Sequence, residues 1–538
     1  MSNEKGQSFL KGAAILSAST LIVKFVSFFF SIPLTNIIGT AGLAPYNATY
    51  TIFAVFNAIA TAGLPVAVSK MVSSAYSLGN PRQAEKTFSI ALRTFSILGL
   101  VLSILMFLFS DLLASIVHVP GATYSIKALA PTVFFASIMS ATRGFFQGKS
   151  NMKPTALSQL IEAIIKLIFG LSLALYIHTT FQNAEYSSAA AIIGISFSAF
   201  CGAVYLTIRK RKDRRQTLSH PSNSSRRVDS SKVILNNLIR IAVPITIGSC
   251  LLFVLDLFDA SIINSRLQTY LSKEAAEDLY GAWGAAIRLF DLPGAITIPI
   301  ATSLIPVISV AFTQRDAKKV ARSTTSAIRM TLLITVPCTV GFFLFGQPIA
   351  HLAYFSKNVS ADIIGSILQT VSIGIVFNGL LYTTNSLMQA MGHVTQPVIN
   401  MTIGGIVRLV LNYVLIGNPA INIQGAAITT SLSYLITLVL NLISVYRLVP
   451  KAENILLSFL PVALASAVMG AASYFSFLAL SSMMSEKIAV LIAIAVAVLV
   501  YFPAAILFKA IRKNELMMLP MGGKIAKIFH LYEGAHFG

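Results

Sequence analysis

Fourteen apolar stretches, each long enough to cross a bilayer, fill this 538-residue chain almost from end to end. A membrane-spanning helix needs about 20 apolar residues to cross roughly 30 Å of hydrocarbon. Charged residues make up only 11% of the chain, whereas about a quarter is usual for a soluble domain. The sequence therefore predicts an all-α, polytopic membrane protein with about 14 transmembrane helices.

The apolar stretches define the predicted spans. They cover residues 10–38, 47–69, 87–110, 124–147, 155–178, 186–208, 239–264, 281–312, 323–347, 362–390, 397–417, 421–446, 455–480 and 487–508. The first stretch is too long for the apolar part of a cleavable signal peptide. We therefore expect it to remain in the protein as the first transmembrane helix.

Basic residues are distributed unevenly between the two sets of connections. If the N-terminus is cytoplasmic, the inward-facing segments hold 29 Lys and Arg residues and the outward-facing segments hold five. This bias predicts a multi-pass protein of the cell membrane with both termini in the cytoplasm. The formal net charge of +21 lies mainly at the ends of apolar segments, so we expect contact with membrane lipids and no nucleic acid as a partner.

A basic loop between the sixth and seventh stretches separates two similar halves. Residues 147–166 align without a gap with residues 389–408, at an offset of 242, and the order of Gln, Pro and a basic residue is kept. Such a repeat predicts two bundles related by a pseudo-twofold axis along the membrane normal. The predicted domains are an N-terminal six-helix bundle (1–208), a flexible basic cytoplasmic linker (209–238), a C-terminal six-helix bundle (239–446), helices 13 and 14 (447–508) and a cytoplasmic tail with an amphipathic stretch (509–538).

Ionisable residues within apolar spans are the best indicators of function, because each costs about 2.5–3.5 kcal/mol on insertion scales. Lys24 lies in the middle of the first span, and Arg408 lies in the eleventh. In the eighth span, Arg288 and Asp291 share a helix face and could pair, and the following Pro293 should loosen the backbone. We predict that Lys24, Arg288 and Arg408 line a polar cavity.

Two other pairs of charged residues allow two interpretations each. Asp256 and Asp259 share one face of the seventh span, where they either couple transport to an ion or stabilise the helix bundle. Glu162 and Lys166 have the order and spacing of an intrahelical ion pair. That pair is either structural or part of a binding site.

The other charged residues and motifs do not indicate a further functional site. Arg93 and Arg329 lie near the ends of their spans, and we expect their side chains to extend to the membrane surface. The sequence contains neither a clustered set of metal ligands nor a phosphate-binding loop. We therefore expect a transporter without a cofactor, and not an enzyme.

Three motifs resemble a known family. They are RGFFQGKSNMKPTALSQLIEAIIKLIFG from Arg143, AAIRLFDLPGAITIPIATSLIPVIS from Ala285 and INIQGAAITTSLSYL from Ile421. The motifs resemble polysaccharide-biosynthesis exporters of the multidrug/oligosaccharidyl-lipid/polysaccharide (MOP) superfamily. Within it, the chain is most similar to the Gram-positive branch related to stage V sporulation protein B and MurJ-type lipid II flippases.

The resemblance implies a V-shaped pair of six-helix bundles that open alternately to each side, with helices 13 and 14 appended. It places Lys24 and Arg288 at cavity arginines of the flippases, Asp291 at an acid, and Asp259 near an acid of a sodium site. Other cavity arginines are replaced here by neutral residues such as Phe29 and Phe56. Other residues then have to supply positive charge for anion binding, and Arg408 and Lys166 are the candidates.

The leading hypothesis is a flippase that moves lipid II, an undecaprenyl-pyrophosphate-linked peptidoglycan precursor, to the outer leaflet. Its energy source stays open among Na⁺, H⁺ and the membrane potential, and cell-wall synthesis proteins are candidate partners. The alternatives are a flippase for another polyprenyl-linked glycan, such as a teichoic acid, capsule or exopolysaccharide unit, and a multidrug/cation antiporter. A membrane glycosyltransferase is less favoured because the sequence has no large outer loop with clustered acids or histidines.

Overall fold

The computed structural model describes residues 2–218, 228–303 and 305–511, and these residues form helices without any strand. The helices up to the basic loop are α1 (Ser2–Thr61), α2 (Leu64–Ser77), α3 (Pro81–Leu108), α4 (Ser110–Ile116), α5 (Thr123–Gly148), α6 (Lys153–Ile165), α7 (Leu171–Phe181) and α8 (Ala184–Leu218). A 3₁₀ turn (Pro120–Ala122) precedes α5, and a π-helical turn (Lys166–Gly170) joins α6 to α7.

The part of the chain described after the basic loop contains eleven helical segments. They are α9 (Ser231–Leu267), α10 (Lys273–Phe290), α11 (Leu292–Ser303), α12 (Ile305–Thr313), α13 (Ala317–Ala353), α14 (Ala361–Val371), α15 (Gly374–Ala390), α16 (Thr395–Leu415), α17 (Gln424–Leu448), α18 (Ile455–Ser481) and α19 (Glu486–Leu507). Polar caps fix several helix starts: the side chains of Asn80, Ser230 and Asn454 accept backbone N–H bonds at the starts of α3, α9 and α18.

The number of spans agrees with a polytopic all-α fold. Within the described residues, twelve helical segments are long and apolar enough to cross a membrane, or 13 if the bent pair α14–α15 is one span. The first segment has 60 residues, which is about 90 Å of helix and far more than one crossing needs. Since α1 is broken at Gly39, this segment accounts for two of the fourteen predicted spans.

Gly39 forms a kink that the sequence did not predict at this residue. Its φ of 72° lies in the left-handed region, which favours glycine. The break brings the chain close to residues Tyr354–Ser360: the Thr40 N–H donates to the Asn358 carbonyl at 3.2 Å. The Asp278 carboxylate accepts hydrogen bonds from the Thr40 and Ser360 hydroxyls. This loop is therefore fixed on the α1 kink.

Two other predicted spans are interrupted. The stretch 281–312 is divided at Asp291, between α10 and α11, so the helix is interrupted beside Pro293, where the sequence predicts a loosened backbone. The stretch 362–390 is divided into α14 and α15, which meet at a bend of 55°. Breaks of this kind occur at membrane depth where protein surrounds the freed backbone groups.

The chain forms two compact units, and each unit contains segments that are far apart in the sequence. The first unit contains residues 1–285 together with the segments Tyr354–Ser360 and Leu409–Ile423. Its main core packs apolar residues of α2, α3, α5, α8 and α9. The second unit contains the remaining residues, and its main core is formed by α13, α15, α17, α18 and α19. The structure thus assigns α9 to the first unit, whereas the predicted division of the chain at residues 208 and 238 remains a prediction.

Part of the predicted flexible linker is helical. Helix α8 continues to Leu218, so its 35 residues extend about 52 Å and reach beyond one hydrocarbon layer. Lys210 anchors this extension, because its ammonium donates to both Glu85 carboxylate oxygens at 2.7 and 2.9 Å and lies 3.9 Å from the Phe145 ring centroid. The predicted amphipathic tail begins at the edge of the described chain and otherwise lies outside it.

Arg329 corrects one prediction. Its side chain does not extend to the membrane surface: Arg329 is only 3% exposed and donates hydrogen bonds to the Lys509 and Ala510 carbonyls, at 3.3 and 2.9 Å. These carbonyls follow the end of α19, so the guanidinium stabilises a helix C-terminus. Arg93 is exposed, and the extension of its side chain to the membrane surface remains a prediction.

Candidate functional site

A polar cavity lies within the first unit, between helices that are otherwise apolar. Its volume is about 240 Å³, and its walls come from α1, α6 with the π-helical turn, and α8. The lining residues are Thr20, Val23, Tyr50, Gln159, Glu162, Ala163, Lys166, Ile195 and Ser198. Two of the predicted site residues, Glu162 and Lys166, therefore line the same cavity.

Glu162 forms its ion pair with a residue that the sequence analysis did not select. Its carboxylate accepts a hydrogen bond from the Arg143 guanidinium, and Arg143 Nε also donates to the Ser158 hydroxyl at 3.0 Å. The predicted partner, Lys166, acts on Glu162 through its charge. The expected pair is therefore part of a group of three charged side chains.

Lys166 is held by contacts to α1. Its ammonium donates to the Ser27 hydroxyl at 3.1 Å and lies 5.1 Å from the centroid of the Phe30 ring. Lys166 is also the first residue of the π-helical turn. Such turns are rare and often occur at functional sites, because the widened turn changes the direction of a side chain.

Lys24 is exposed and lies on α1 one turn beyond Thr20 and one before Ser27. Residues spaced by three and four share a helix face, so Lys24 lies on the face that carries the wall of the cavity. It is not among the residues that line the cavity. Its predicted contact with a substrate thus remains a prediction.

The other predicted cations belong to the second unit. Arg288 lies in the last turn of α10 and is partly buried, and Asp291 is exposed at the break that follows it. Arg408, on α16, is partly buried and is the last residue of its segment of the second unit. The structure therefore brings Arg288 and Asp291 to one helix break.

The two aspartates of α9 differ in their surroundings. Asp259 is 5% exposed, and its carboxylate accepts a hydrogen bond from the fully buried Asn412 side chain. Asp256 is exposed. Oxygen atoms of a buried carboxylate and an amide are ligands that hard cations prefer. This part of the first unit therefore has suitable chemistry for a small cation.

Two family models match this chain. The family model described as polysaccharide biosynthesis protein matches residues 9–312, more than half of the chain. The chain belongs to this family. The model described as MatE matches residues 244–414. Together these matches confirm the recognition of the MOP superfamily from the sequence motifs.

Curated relatives match most of the length of this chain. Stage V sporulation protein B of Bacillus subtilis strain 168 is 26% identical, over 96% of this chain and 99% of the relative. Lipid II flippase MurJ of the same organism is 27% identical, over 86% and 87%. A structure of lipid II flippase MurJ in an inward closed conformation matches with a TM-score of 0.70 at 19% identity, over 92% of this chain and 98% of that one. The last match shows the fold.

Arg143 and Asn412 are the residues of this family member that the sequence analysis missed. Arg143 lies at the end of a predicted span and was counted only as a charge that sets orientation. Asn412 is neutral, so it gave no signal in a search for charges within spans. A polar residue in an apolar segment is also costly unless it is hydrogen-bonded, and Asn412 could have been found by that criterion.

Proposed function

We propose that this chain moves lipid II, or a closely related polyprenyl-pyrophosphate-linked precursor of peptidoglycan, from the inner to the outer leaflet of the cell membrane by alternating access. The observation that carries the proposal is the placement of fixed cations within membrane-spanning helices: Lys166 lines the cavity, and Arg143 is paired with the cavity residue Glu162. A diphosphate needs such cations, because charge–charge attraction is strong where water is excluded. The long match to lipid II flippase MurJ supports the same cargo.

Lys24 and Arg288 are proposed to attract the diphosphate, with Arg408 and Asp291 as further polar contacts. The polyprenyl chain stays in the lipid, where it needs no polar partner. The orientation that fits the charge bias has both termini in the cytoplasm. Cell-wall synthesis proteins on the outer side are the proposed consumers of the cargo.

The test measures lipid II at the outer surface of cells depleted of other flippases. Cells receive the intact chain, Lys24→Ala, Arg288→Ala or the control Arg93→Ala, which removes an exposed cation outside the cavity. We expect the intact chain and the control to restore exposure, and each of the first two variants to lower it at least about tenfold, which corresponds to about 1.4 kcal/mol. Equal exposure in all four would refute the role of these cations.

A second cargo has specific support. Stage V sporulation protein B matches over 96% of this chain, and its name does not specify lipid II. If the intact chain is inserted and abundant but restores no lipid II exposure, the proposed cargo becomes another polyprenyl-linked glycan. Multidrug/cation antiport is supported by the MatE match, but fixed cations beside a cavity do not favour a cationic drug.

Asp259 is the proposed coupling residue, with Asn412 as its partner and Asp256 as an outer contact for the ion. The other energy source is the membrane potential, which is worth about 2.3 kcal/mol per elementary charge per 100 mV. If Na⁺ couples transport, replacing Na⁺ by choline should stop lipid II exposure in the intact chain as completely as Asp259→Asn does. Exposure that survives without Na⁺ but stops when the potential is collapsed would exclude Na⁺ coupling.

A further inference from the structure

The cavity of the first unit is small. Pockets for drug-sized molecules usually have about 300–1,000 Å³, whereas this one has about 240 Å³. A complete glycan headgroup does not fit such a volume, but a group of a few heavy atoms does. The size therefore favours a compact polar group as the occupant.

The charges at the cavity favour an anion. Arg143 and Lys166 contribute two positive charges and Glu162 contributes one negative charge, which leaves one positive charge for the three side chains. Arg143 is paired with Glu162 directly, and the Lys166 charge acts on the same carboxylate. A net positive charge among apolar helices is costly, and an anion would lower that cost.

The cavity also offers polar atoms for a ligand. The Oε1 atom of Gln159 is buried and accepts no hydrogen bond from the described residues. Because the two ends of an amide can exchange places by rotation, Gln159 could turn its NH₂ group towards an oxyanion. Lys166 contributes a positively charged ammonium to the lining of the cavity, where it donates a hydrogen bond to Ser27.

The backbone around Lys166 is firmly placed. Gly170 ends the π-helical turn and lies against Gly194 of α8, where an added Cβ on Gly194 would come within 2.3 Å of the Gly170 Cα. The turn and α8 therefore pack backbone to backbone. This contact holds the turn that directs Lys166, which is what a preorganised binding site requires.

We propose that this cavity is a phosphate-class oxyanion site in which Lys166 and Arg143 supply the positive charge and Glu162 acts as an internal counter-ion. This inference rests on the proposed function in one respect: the anion is taken to belong to the lipid-linked cargo. Glu162 offsets one of the two positive charges when the site is empty, and its negative charge lowers the affinity for a bound anion. A transporter needs such moderate affinity, because its cargo has to leave again.

The experiment titrates inorganic pyrophosphate into the purified full-length protein at constant ionic strength, followed by calorimetry and thermal unfolding. Glu162→Gln should bind pyrophosphate at least about tenfold more tightly than the intact protein, because it removes a repelling charge within a few ångströms. Asp111→Asn changes the net charge equally at an exposed pair with Lys127 and should bind like the intact protein. Adding Lys166→Gln to Glu162→Gln should abolish the gain.

Three results would overturn the site. Glu162→Gln could bind no more tightly, Asp111→Asn could gain as much, or Lys166→Gln alone could leave binding unchanged. The last comparison keeps the test valid if Glu162→Gln does not fold. Undecaprenyl pyrophosphate in the same detergent identifies the source: competition with pyrophosphate supports a lipid-borne anion, and binding of inorganic pyrophosphate alone supports a free anion at this site.

The inference and the proposed function can fail separately. If Glu162→Gln shows the expected gain in binding but the intact chain restores no lipid II exposure, the oxyanion site is supported and the proposed cargo is refuted. If the intact chain restores exposure but neither Glu162→Gln nor Lys166→Gln changes pyrophosphate binding, the proposed cargo is supported and the oxyanion site is refuted.

Discussion

Replacing Arg143 with methionine is expected to lower the free energy of unfolding by about 3 kcal/mol, the lower end of the range for breaking a buried ion pair. The lower end applies because the Arg143 and Glu162 side chains are 19% and 25% exposed. Removing the guanidinium leaves the Glu162 carboxylate without its ion-pair partner, although the Lys166 charge still acts on it. Unfolding by denaturant in detergent measures the change.

A double replacement separates stability from transport. Arg143→Met combined with Glu162→Gln removes both charges, so most of the lost stability should return. Lipid II exposure should not return, because one of the two cations of the site is still missing. If the double variant is as unstable as Arg143→Met, the interaction with Glu162 is not what Arg143 contributes to folding.

The second large effect is expected for Gly281→Ala. A Cβ at Gly281 would lie 1.8 Å from the Thr40 carbonyl oxygen, so α10 packs directly on the backbone of α1 next to its kink. Backbone atoms cannot yield as a flexible side chain can. We expect a loss of stability of about 3 kcal/mol or more, at or above the upper end of typical overpacking costs.

Gly248→Ala is the matched control, since no atom lies within 4 Å of a Cβ at that position of α9. Alanine is also the better helix former, so the control should be neutral or slightly stabilising. Thermal unfolding of the two variants under identical conditions gives the comparison. Equal melting temperatures would show that α10 can move away from α1 without cost.

The sequence predicted well what depends on local pattern. Apolar length located the spans, and the charges within them singled out Glu162 and Lys166, which line one cavity. Pro293 indicated the weak point beside Asp291. These features depend on a residue and its near neighbours, and hydropathy and backbone chemistry describe them directly.

Contacts between distant segments could not be predicted in this way. The partner of Glu162 lies 19 residues away on another helix, and the carbonyls that hold Arg329 lie 180 and 181 residues away. Spacing along one helix favoured Lys166 as the partner of Glu162, but packing supplied Arg143. The kink at Gly39 likewise depends on the loop that contacts it, and not on its own sequence alone.

The composition of the first unit has a consequence for its synthesis. Asp259 and Asn412 belong to the same unit but are separated by 153 residues. At about 5–20 residues per second, the ribosome needs about 8 to 30 s to proceed from one to the other. For that interval the carboxyl is already in its helix while the amide that will bind it does not yet exist. Completion of the first unit is therefore timed by the arrival of a helix from late in the chain.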